Sequence, residues 1–263
     1  MLRRCHVDHL TFRRINATRL EQNSLVALVV GGGKGERMGT ELPKQFLLLR
    51  GKPVLVHTLE KFLALPPAYS LTTVVVLPEA FVEMGKQIIQ EQANNLAGRS
   101  VFVIAGGASR GESVYKGLEK IRKEMSLENF SQALVAIHDA VRPLVQTKTI
   151  VASYESALRH GSGICAVACK SSLRMLTQTG SQAVDRSLYR EVQTPQTFQL
   201  PLVYDCYQKN SSSLANFTDD ASLVESQGHP IQLIDGDYEN IKITTPEDLL
   251  LAEAILEKRG FAI

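Results

Sequence analysis

The stretch Val29-Val30-Gly31-Gly32-Gly33-Lys34-Gly35-Glu36-Arg37-Met38-Gly39, continued by Leu42-Pro43-Lys44-Gln45-Phe46, decides how this chain is read. It follows an apolar run, 25–30, that reads as a buried strand. Glycines placed straight after a strand leave backbone N–H groups that can come close to a phosphate, because no Cβ stands in the way. Arg37 and Lys44 supply positive charge just downstream. Together these features describe a triphosphate cradle that carries its own charge neutralisation.

Three glycine-loop readings compete, and spacing separates them. A Walker loop requires Lys followed by Ser or Thr, whereas Lys34 is followed by Gly35. A dinucleotide fingerprint starts at Gly33-x-Gly35, yet Met38 occupies its third glycine position and Gly39 arrives one residue late. It also needs a helix at once, and the segment 40–43 ends in Pro43, a poor helix start. A long loop closing on Pro43-Lys44-Gln45 fits one nucleoside triphosphate better than a dinucleotide docked on a helix end.

The 263 residues suffice for a single α/β domain with an excursion. A formal charge of +2 offers no basic surplus for nucleic acid, and no run of 18 uninterrupted apolar residues is present to span a membrane. Of Cys5, Cys165, Cys169 and Cys206, the Cys165–Cys169 pair has no second Cys or His pair at zinc spacing to complete a site, and all four read as free thiols of a reducing, cytoplasmic compartment. Residues 1–24 carry Arg3, Arg4, Arg13, Arg14 and Arg19 against Asp8 and Glu21, without the apolar core of a secretory signal. They read as a disordered basic extension, with a plastid-type transit peptide as the other reading, and residues 25–263 form the domain.

Downstream, strand-like and helix-like segments alternate. Helical spacing covers 53–65 with Pro53 at the first helical position, then 78–97, 110–123 and 149–160, the last closed by Gly161. Apolar, branched runs at 72–77, 101–105 and 133–137 read as strands. This order predicts a Rossmann-like, doubly wound α/β fold with a mostly parallel sheet, and the polar loops after Val30, Ala105 and Ile137 converge at its carboxyl edge. Between about 171 and 193 helical periodicity is missing and Thr179-Gly180-Ser181 marks a turn, which predicts a protruding β-arm that packs on a second subunit. Helical spacing returns at 200–209, 219–226 and 246–258, around a strand at 231–234.

Nucleotidyl transfer needs cations where the pentacoordinate phosphorus gathers negative charge, and little covalent chemistry from the protein. Arg37, Lys44 and Lys242 are the candidates; Lys242 lies between Ile241 and Ile243 in strand alternation, so that it faces away from both. Asp139, in His138-Asp139-Ala140-Val141-Arg142-Pro143, stands at a strand's carboxyl end. Two readings remain for it, a ligand for Mg²⁺ or a ribose hydroxyl and a turn residue paired with Arg142. His138 has no nucleophile beside it and reads as structural. In Thr218-Asp219-Asp220-Ala221-Ser222 the first or second residue caps a helix or meets substrate. Gly106-Gly107-Ala108-Ser109-Arg110 leads to Ser113 and offers N–H groups and a hydroxyl to a base or sugar.

Taken in order, these motifs, with Asp185-Arg186, Gln193-Thr194-Pro195-Gln196 and Asn240-Ile241-Lys242-Ile243-Thr244, resemble the 2-C-methyl-D-erythritol 4-phosphate cytidylyltransferases, over residues 25–258. The resemblance implies attack of the methylerythritol phosphate on the α-phosphorus of CTP, release of pyrophosphate, Mg²⁺ as counter-charge and a homodimer with interlocked arms. By position it implies that Arg37, Lys44 and Lys242 serve the phosphates and the transition state. Gly31, Gly32, Gly33 and Gly35 would line the triphosphate and base pocket, Gly107 and Ser113 would read cytosine, and Asp139 with Ala140 would meet the nucleotide. Arg142, Thr194 and Thr218 would take the sugar phosphate, joined by Ser172 and Arg186 from a partner's arm. Gly31-Gly32 stands where the family often has Ala-Ala, Ala108 replaces an acid, and Ser171-Ser172 stands for Asp-Thr. Three rivals are set against this reading: a cytidylyltransferase for another polyol phosphate such as ribitol 5-phosphate, a non-catalytic nucleotide-sensing module, and an NAD-linked oxidoreductase.

Overall fold

The computed structural model describes residues 20–32, 42–93 and 99–260. In chain order these form β1 (Ser24–Val30), a 3-10 turn (Lys44–Phe46), β2 (Leu48–Leu49), β3 (Lys52–Pro53), α1 (Val54–Leu63), β4 (Ser70–Leu77) and α2 (Val82–Gln92). There follow β5 (Ser100–Ala105), α3 (Arg110–Glu124), α4 (Leu127–Gln132), β6 (Leu134–Asp139), α5 (Thr147–His160), β7 (Ser162–Ala168), β8 (Leu173–Thr177) and β9 (Gly180–Val184). The chain ends with β10 (Arg190–Gln199), α6 (Leu200–Lys209), α7 (Asp220–Ser226), β11 (Leu233–Asp235) and α8 (Pro246–Lys258). No helix among the described residues is long and apolar enough to cross a membrane.

Strand β1 shows why the sheet is wound on both sides. Its residues are almost wholly buried, and they alternate between two cores. Leu25, Ala27 and Val29 pack with Leu55, Phe62 and Tyr154 on the face of α1, α2 and α5. Val26, Leu28 and Val30 pack with Val114, Leu118 and Tyr207 on the face of α3, α4 and α6. A period-two strand apolar at every position must have a helical layer on each side.

The seven-stranded sheet runs β11-β7-β10-β6-β1-β4-β5. β4 lies on one side of β1 and β6 on the other, both parallel to it, so the strand order reverses here. The crevice beyond the carboxyl ends of β1 and β6 is therefore the topological switch point, where α/β sheets bind ligands. β10 runs antiparallel to both β6 and β7, and its register breaks between Val192 and Gln196. That break releases Gln193 and Thr194 from regular pairing beside the crevice. A third core, with Val141, Ile243 and Leu256, packs α8 over the same edge of the sheet.

Several boundaries differ from the sequence reading. Pro53 is the N-cap of α1, because it still pairs with Leu48 in the small hairpin. The helix expected over 78–97 opens as a 3-10 turn, Glu79–Phe81, before α2, and residues 94–98 lie outside the described ones. The arm comprises the exposed hairpin β8–β9 and the 3-10 turn Arg186–Leu188, whereas Arg190 already pairs with Ala168 in the main sheet. The segment 240–245 is not a strand: Ile243 N–H bonds to Val141 O at 2.9 Å, but no ladder continues from it among the described residues. Of the basic extension, residues 1–19 lie outside the described ones, while Leu20 is buried in the first core.

His138, next to last in β6, is held in the core. Its ring meets Phe62 edge-on at 5.2 Å between centroids. Nε2 lies 3.2 Å from Arg142 O and Nδ1 lies 3.0 Å from Thr194 Oγ1. The carbonyl can only accept, so Nε2 carries the proton and Nδ1 accepts from the threonine hydroxyl. Burial pushes the imidazole pKa down to about 4.

Two expected outcomes follow from this packing. A Cβ on Gly163 would lie 2.3 Å from the Ser153 carbonyl oxygen, so Gly163→Ala forces α5 away from β7. Urea unfolding should show a loss of about 1–3 kcal/mol, the usual cost of overpacking; an unchanged midpoint would contradict the contact. For His138, the folded pKa lies below the ordinary value, so its contribution is complete above the unfolded pKa and is lost as pH falls from about 6.5 towards about 4. The stability gap between wild type and His138→Gln should narrow by about 2 kcal/mol between about pH 7.5 and about pH 5. A gap independent of pH would mean that the ring titrates in the fold as it does in the unfolded chain.

Candidate active site

Asp139, the last residue of β6, puts a buried carboxylate at the floor of the crevice. Lys242 Nζ stands 2.9 Å from its Oδ2, Arg142 Nε 3.6 Å from the same oxygen, and Arg110 Nε 3.3 Å from Oδ1. Burial alone would raise the carboxyl pKa, but the charges of Arg110, Lys242 and Arg142 outweigh it and hold the group well below the usual carboxylate range. The site is a pocket of about 140 Å³, with Gln193, Thr194, Thr218 and Asp219 on its other walls. Cations gathered around one fixed anion in a part-dry crevice are suited to phosphate oxygens, which can take over as their partners.

Each of these side chains is fixed by a different segment. Arg110 opens α3, whose N-cap is Ser109; its fork is taken by the fully buried Asp220, at 3.0 Å from Nη1 to Oδ1 and 2.8 Å from Nη2 to Oδ2. Arg142 donates through Nη1 to Asn240 O at 2.7 Å, while its buried Nε makes no hydrogen bond among the described residues. A ligand oxygen could satisfy that donor. Asn240 Nδ2 in turn donates to Thr194 O at 2.8 Å. Gln193 bonds both backbone groups of Asp237, giving Nε2 to its carbonyl at 2.9 Å and accepting its N–H at 3.3 Å. The side chain thus does for the loop before Lys242 what a neighbouring strand would do. Thr194 Oγ1 also accepts the Asp139 N–H at 3.1 Å.

Beside this pocket, Gly31 and Gly32 follow β1. Gln45 Nε2 donates to Gly31 O at 2.7 Å, which ties the Pro43-Lys44-Gln45 step to the start of the glycine loop and brings half-buried Lys44 there. A Cβ on Gly31 would lie 3.1 Å from Ala140 Cβ, and one on Gly32 would lie 2.7 Å from Ser113 Oγ. Glycine at 32 therefore leaves the room that the Ser113 hydroxyl fills. That hydroxyl donates to Ser109 O at 2.9 Å and accepts the Gly107 N–H at 3.1 Å. The loops after β1 and β5 meet on it, as the sequence pattern anticipated.

The expected residues are thus distributed as follows. Asp139, Arg142, Thr194, Thr218 and Lys242 line one pocket. Gly31, Gly32, Gly107, Ser113 and Ala140 are grouped beside it by the contacts above. Gly33, Gly35 and Arg37 lie outside the described residues. Ser172 and Arg186 are exposed on the arm, with Arg186 Nη1 donating to Lys170 O, and neither lines the pocket. Of the two capping candidates, Asp219 caps α7, accepting from Ser222 N–H at 2.9 Å, which leaves Thr218 to the pocket.

Sequence reasoning assigned no role to Arg110, Gln193 or Gln196, all of which line the pocket beside Asp219. Arg110 did leave a signal. A cation in the first turn of a helix opposes the macrodipole, so its presence there calls for a compensating anion. Asp139 was also a candidate Mg²⁺ ligand. Its two oxygens already serve three cations, and no group of three His, Cys, Asp or Glu suited to a metal occurs among the described residues. This donor set does not fit a resident metal.

Comparison with known proteins agrees with the geometry. The profile of the family described as IspD: 2-C-methyl-D-erythritol 4-phosphate cytidylyltransferase matches residues 25–258. The protein of that name from Bacteroides thetaiotaomicron is 42% identical over 229 residues, 87% of this chain and 98% of the relative. That from Porphyromonas gingivalis (strain W83) is 41% identical over 231 residues, covering 88% and 96%. Among solved structures, the 2-C-methyl-D-erythritol 4-phosphate cytidylyltransferase of Thermus thermophilus superposes with a TM-score of 0.67 at 28% identity, over 88% of this chain and 98% of that one. The 4-diphosphocytidyl-2C-methyl-D-erythritol synthase of Anaerococcus prevotii shares the fold, with a TM-score of 0.75 over 91% and 99%. With its switch-point pocket, its ordered motifs and these relatives, the chain belongs to the 2-C-methyl-D-erythritol 4-phosphate cytidylyltransferase family.

Proposed function

We propose that this chain joins CTP to 2-C-methyl-D-erythritol 4-phosphate, giving 4-diphosphocytidyl-2-C-methyl-D-erythritol and pyrophosphate. The observation that carries the reading is the ring of Lys242, Arg110 and Arg142 on Asp139 at the switch point, in a chain of this family. An oxygen of the acceptor phosphate attacks the α-phosphorus of CTP. The new P–O bond forms as the bond to the β-phosphate oxygen breaks, and pyrophosphate leaves with that electron pair. No covalent enzyme intermediate is needed, so the protein acts by positioning and by charge.

In this reading Lys44 and Arg37 neutralise the triphosphate and Lys242 steadies the α-phosphate, moving from the Asp139 carboxylate to the substrate. Gly31, Gly32, Gly33 and Gly35 admit the triphosphate close to the backbone. Ser113 acts on the base through the Gly107 turn that it pins, and Asp139 with Ala140 borders the ribose. Arg142, Thr194 and Thr218 take the acceptor phosphate. Asp139, already shared by three cations, does not fit a resident metal, so Mg²⁺ would enter as counter-charge on the CTP phosphates.

The arm belongs to the same reading. Met175, Leu176, Leu188 and Tyr189 are exposed on and beside the hairpin, a larger apolar display than a free β-ribbon needs. We infer that a second copy of the chain covers it, so that Ser172 and Arg186 reach the partner's acceptor site. The relatives named above are bacterial, and a cytoplasmic location goes with this proposal.

Purified protein supplied with CTP, Mg²⁺ and methylerythritol phosphate should release pyrophosphate, with ribitol 5-phosphate a poor replacement. Equal or faster turnover of ribitol 5-phosphate would overturn the acceptor, and CTP binding without turnover of either would make the chain a nucleotide sensor. Lys44→Ala should lower kcat by a factor on the order of 10² or more, as for loss of a transition-state charge partner. A near-normal rate would reduce Lys44 to a surface charge.

A further inference from the structure

The Arg110 fork and the Thr218 loop share one buried anchor, and that anchor has a partner remote from the pocket. Asp220 is the first residue of α7, two residues after Thr218, and is fully buried. A carboxylate occupies such a position only with strong partners. Among the described residues it has three donors: Arg110 Nη1 and Nη2, and the hydroxyl of Tyr207 on α6, 2.5 Å from Oδ1. Tyr207 is itself buried, with its ring stacked on Tyr115, and it forms no part of the pocket wall. Since Asp220 takes both terminal nitrogens of Arg110, the orientation of the fork leaves Nε facing Asp139.

We propose that Tyr207, acting through Asp220 and Arg110, is a positioning residue for the acceptor half of the pocket. The proposal rests on the functional reading above. Without the phenol hydroxyl, Oδ1 keeps only Arg110 as a partner, so the guanidinium is drawn towards Asp220 and away from Asp139. The N-terminus of α7 carries Thr218 with it. The turn assigned to the base is fixed by a separate set of bonds among Ser109, Glu112, Ser113 and Gly107, none of which involves Tyr207.

Tyr154 supplies a matched control. It too is fully buried and donates a 2.7 Å hydrogen bond to Val26 O in the middle of β1, and it does not line the pocket. Tyr207→Phe and Tyr154→Phe should both lower the melting temperature. Only Tyr207→Phe should lower kcat/KM, on the order of tenfold for methylerythritol phosphate and by less for CTP, whose ribose meets Asp139 while its base is held apart from this relay. Asp220→Asn, which keeps the shape and removes the charge, should move the same constant in the same direction. Kinetics indistinguishable from Tyr154→Phe, or an equal loss for both substrates, would overturn the proposal. A crystal structure of Tyr207→Phe tests it without turnover: the Arg110 Nε–Asp139 contact should be lost, and its persistence would overturn the relay. Absence of turnover in the wild type would instead refute the acceptor reading and leave that structural test intact.

Discussion

Everything at the working edge of this protein depends on the buried carboxylate of Asp139. A lone ionised group in that position would be too costly to keep, so it imposes partners, and they come from three separate places: Arg110 at the start of α3, Arg142 in the loop after β6, and Lys242 ahead of α8. The one anion thereby gathers segments more than 100 residues apart. It also stores their positive charge in a form that a phosphate can take over, since exchanging one oxyanion for another asks little reorganisation of the cations.

Strand β10 makes this gathering possible. Inserted antiparallel between β6 and β7, it breaks register before Gln196 and turns two amide side chains towards neighbouring loops. Gln193 bonds the backbone of Asp237, while Gln196 donates to Asp219 Oδ2 at 2.9 Å and accepts the Ala221 N–H at 2.8 Å. Amides suit this task because they give and accept at once, as a peptide group does. The loop before Lys242 and the cap of α7 are thus held without being strands. Arg259, just past α8, adds a second hold on the Lys242 loop by donating through Nε to Glu239 Oε2 at 2.9 Å.

How much of this was legible depended on the range of the signal. The strands and helices of the doubly wound sheet were readable because each one's burial pattern is written within six to fifteen residues: β1 alternates between two cores, and α5 stops at Gly161 with φ +88°. Lys242 was readable as a presented cation, although its segment is no strand; Ile243 is buried as alternation requires, but α8 and Val141 supply the contact. The arm ends before Arg190 rather than at about 193, because the polar start of β10 looks like hairpin and only pairing with β7 reveals it as sheet. Gln193 and Gln196 were visible as a motif without a role, since what they bond lies about 25 to 45 residues downstream in loops of irregular shape.

Sequence by itself determined the reaction class and the fold: glycines after a buried strand, loop spacing that excludes Walker and dinucleotide folds, and cations at fixed places are all local facts about permitted backbone and charge. Tertiary structure alone decided which charges act together. Arg110 turns towards Asp139 because Asp220 and Tyr207, about 100 residues later, occupy the other side of its fork, and Thr218 faces the pocket because Asp219 takes the cap. Pairings of this kind depend on where the folded chain brings distant groups within hydrogen-bond reach, and no local pattern of residues encodes that distance.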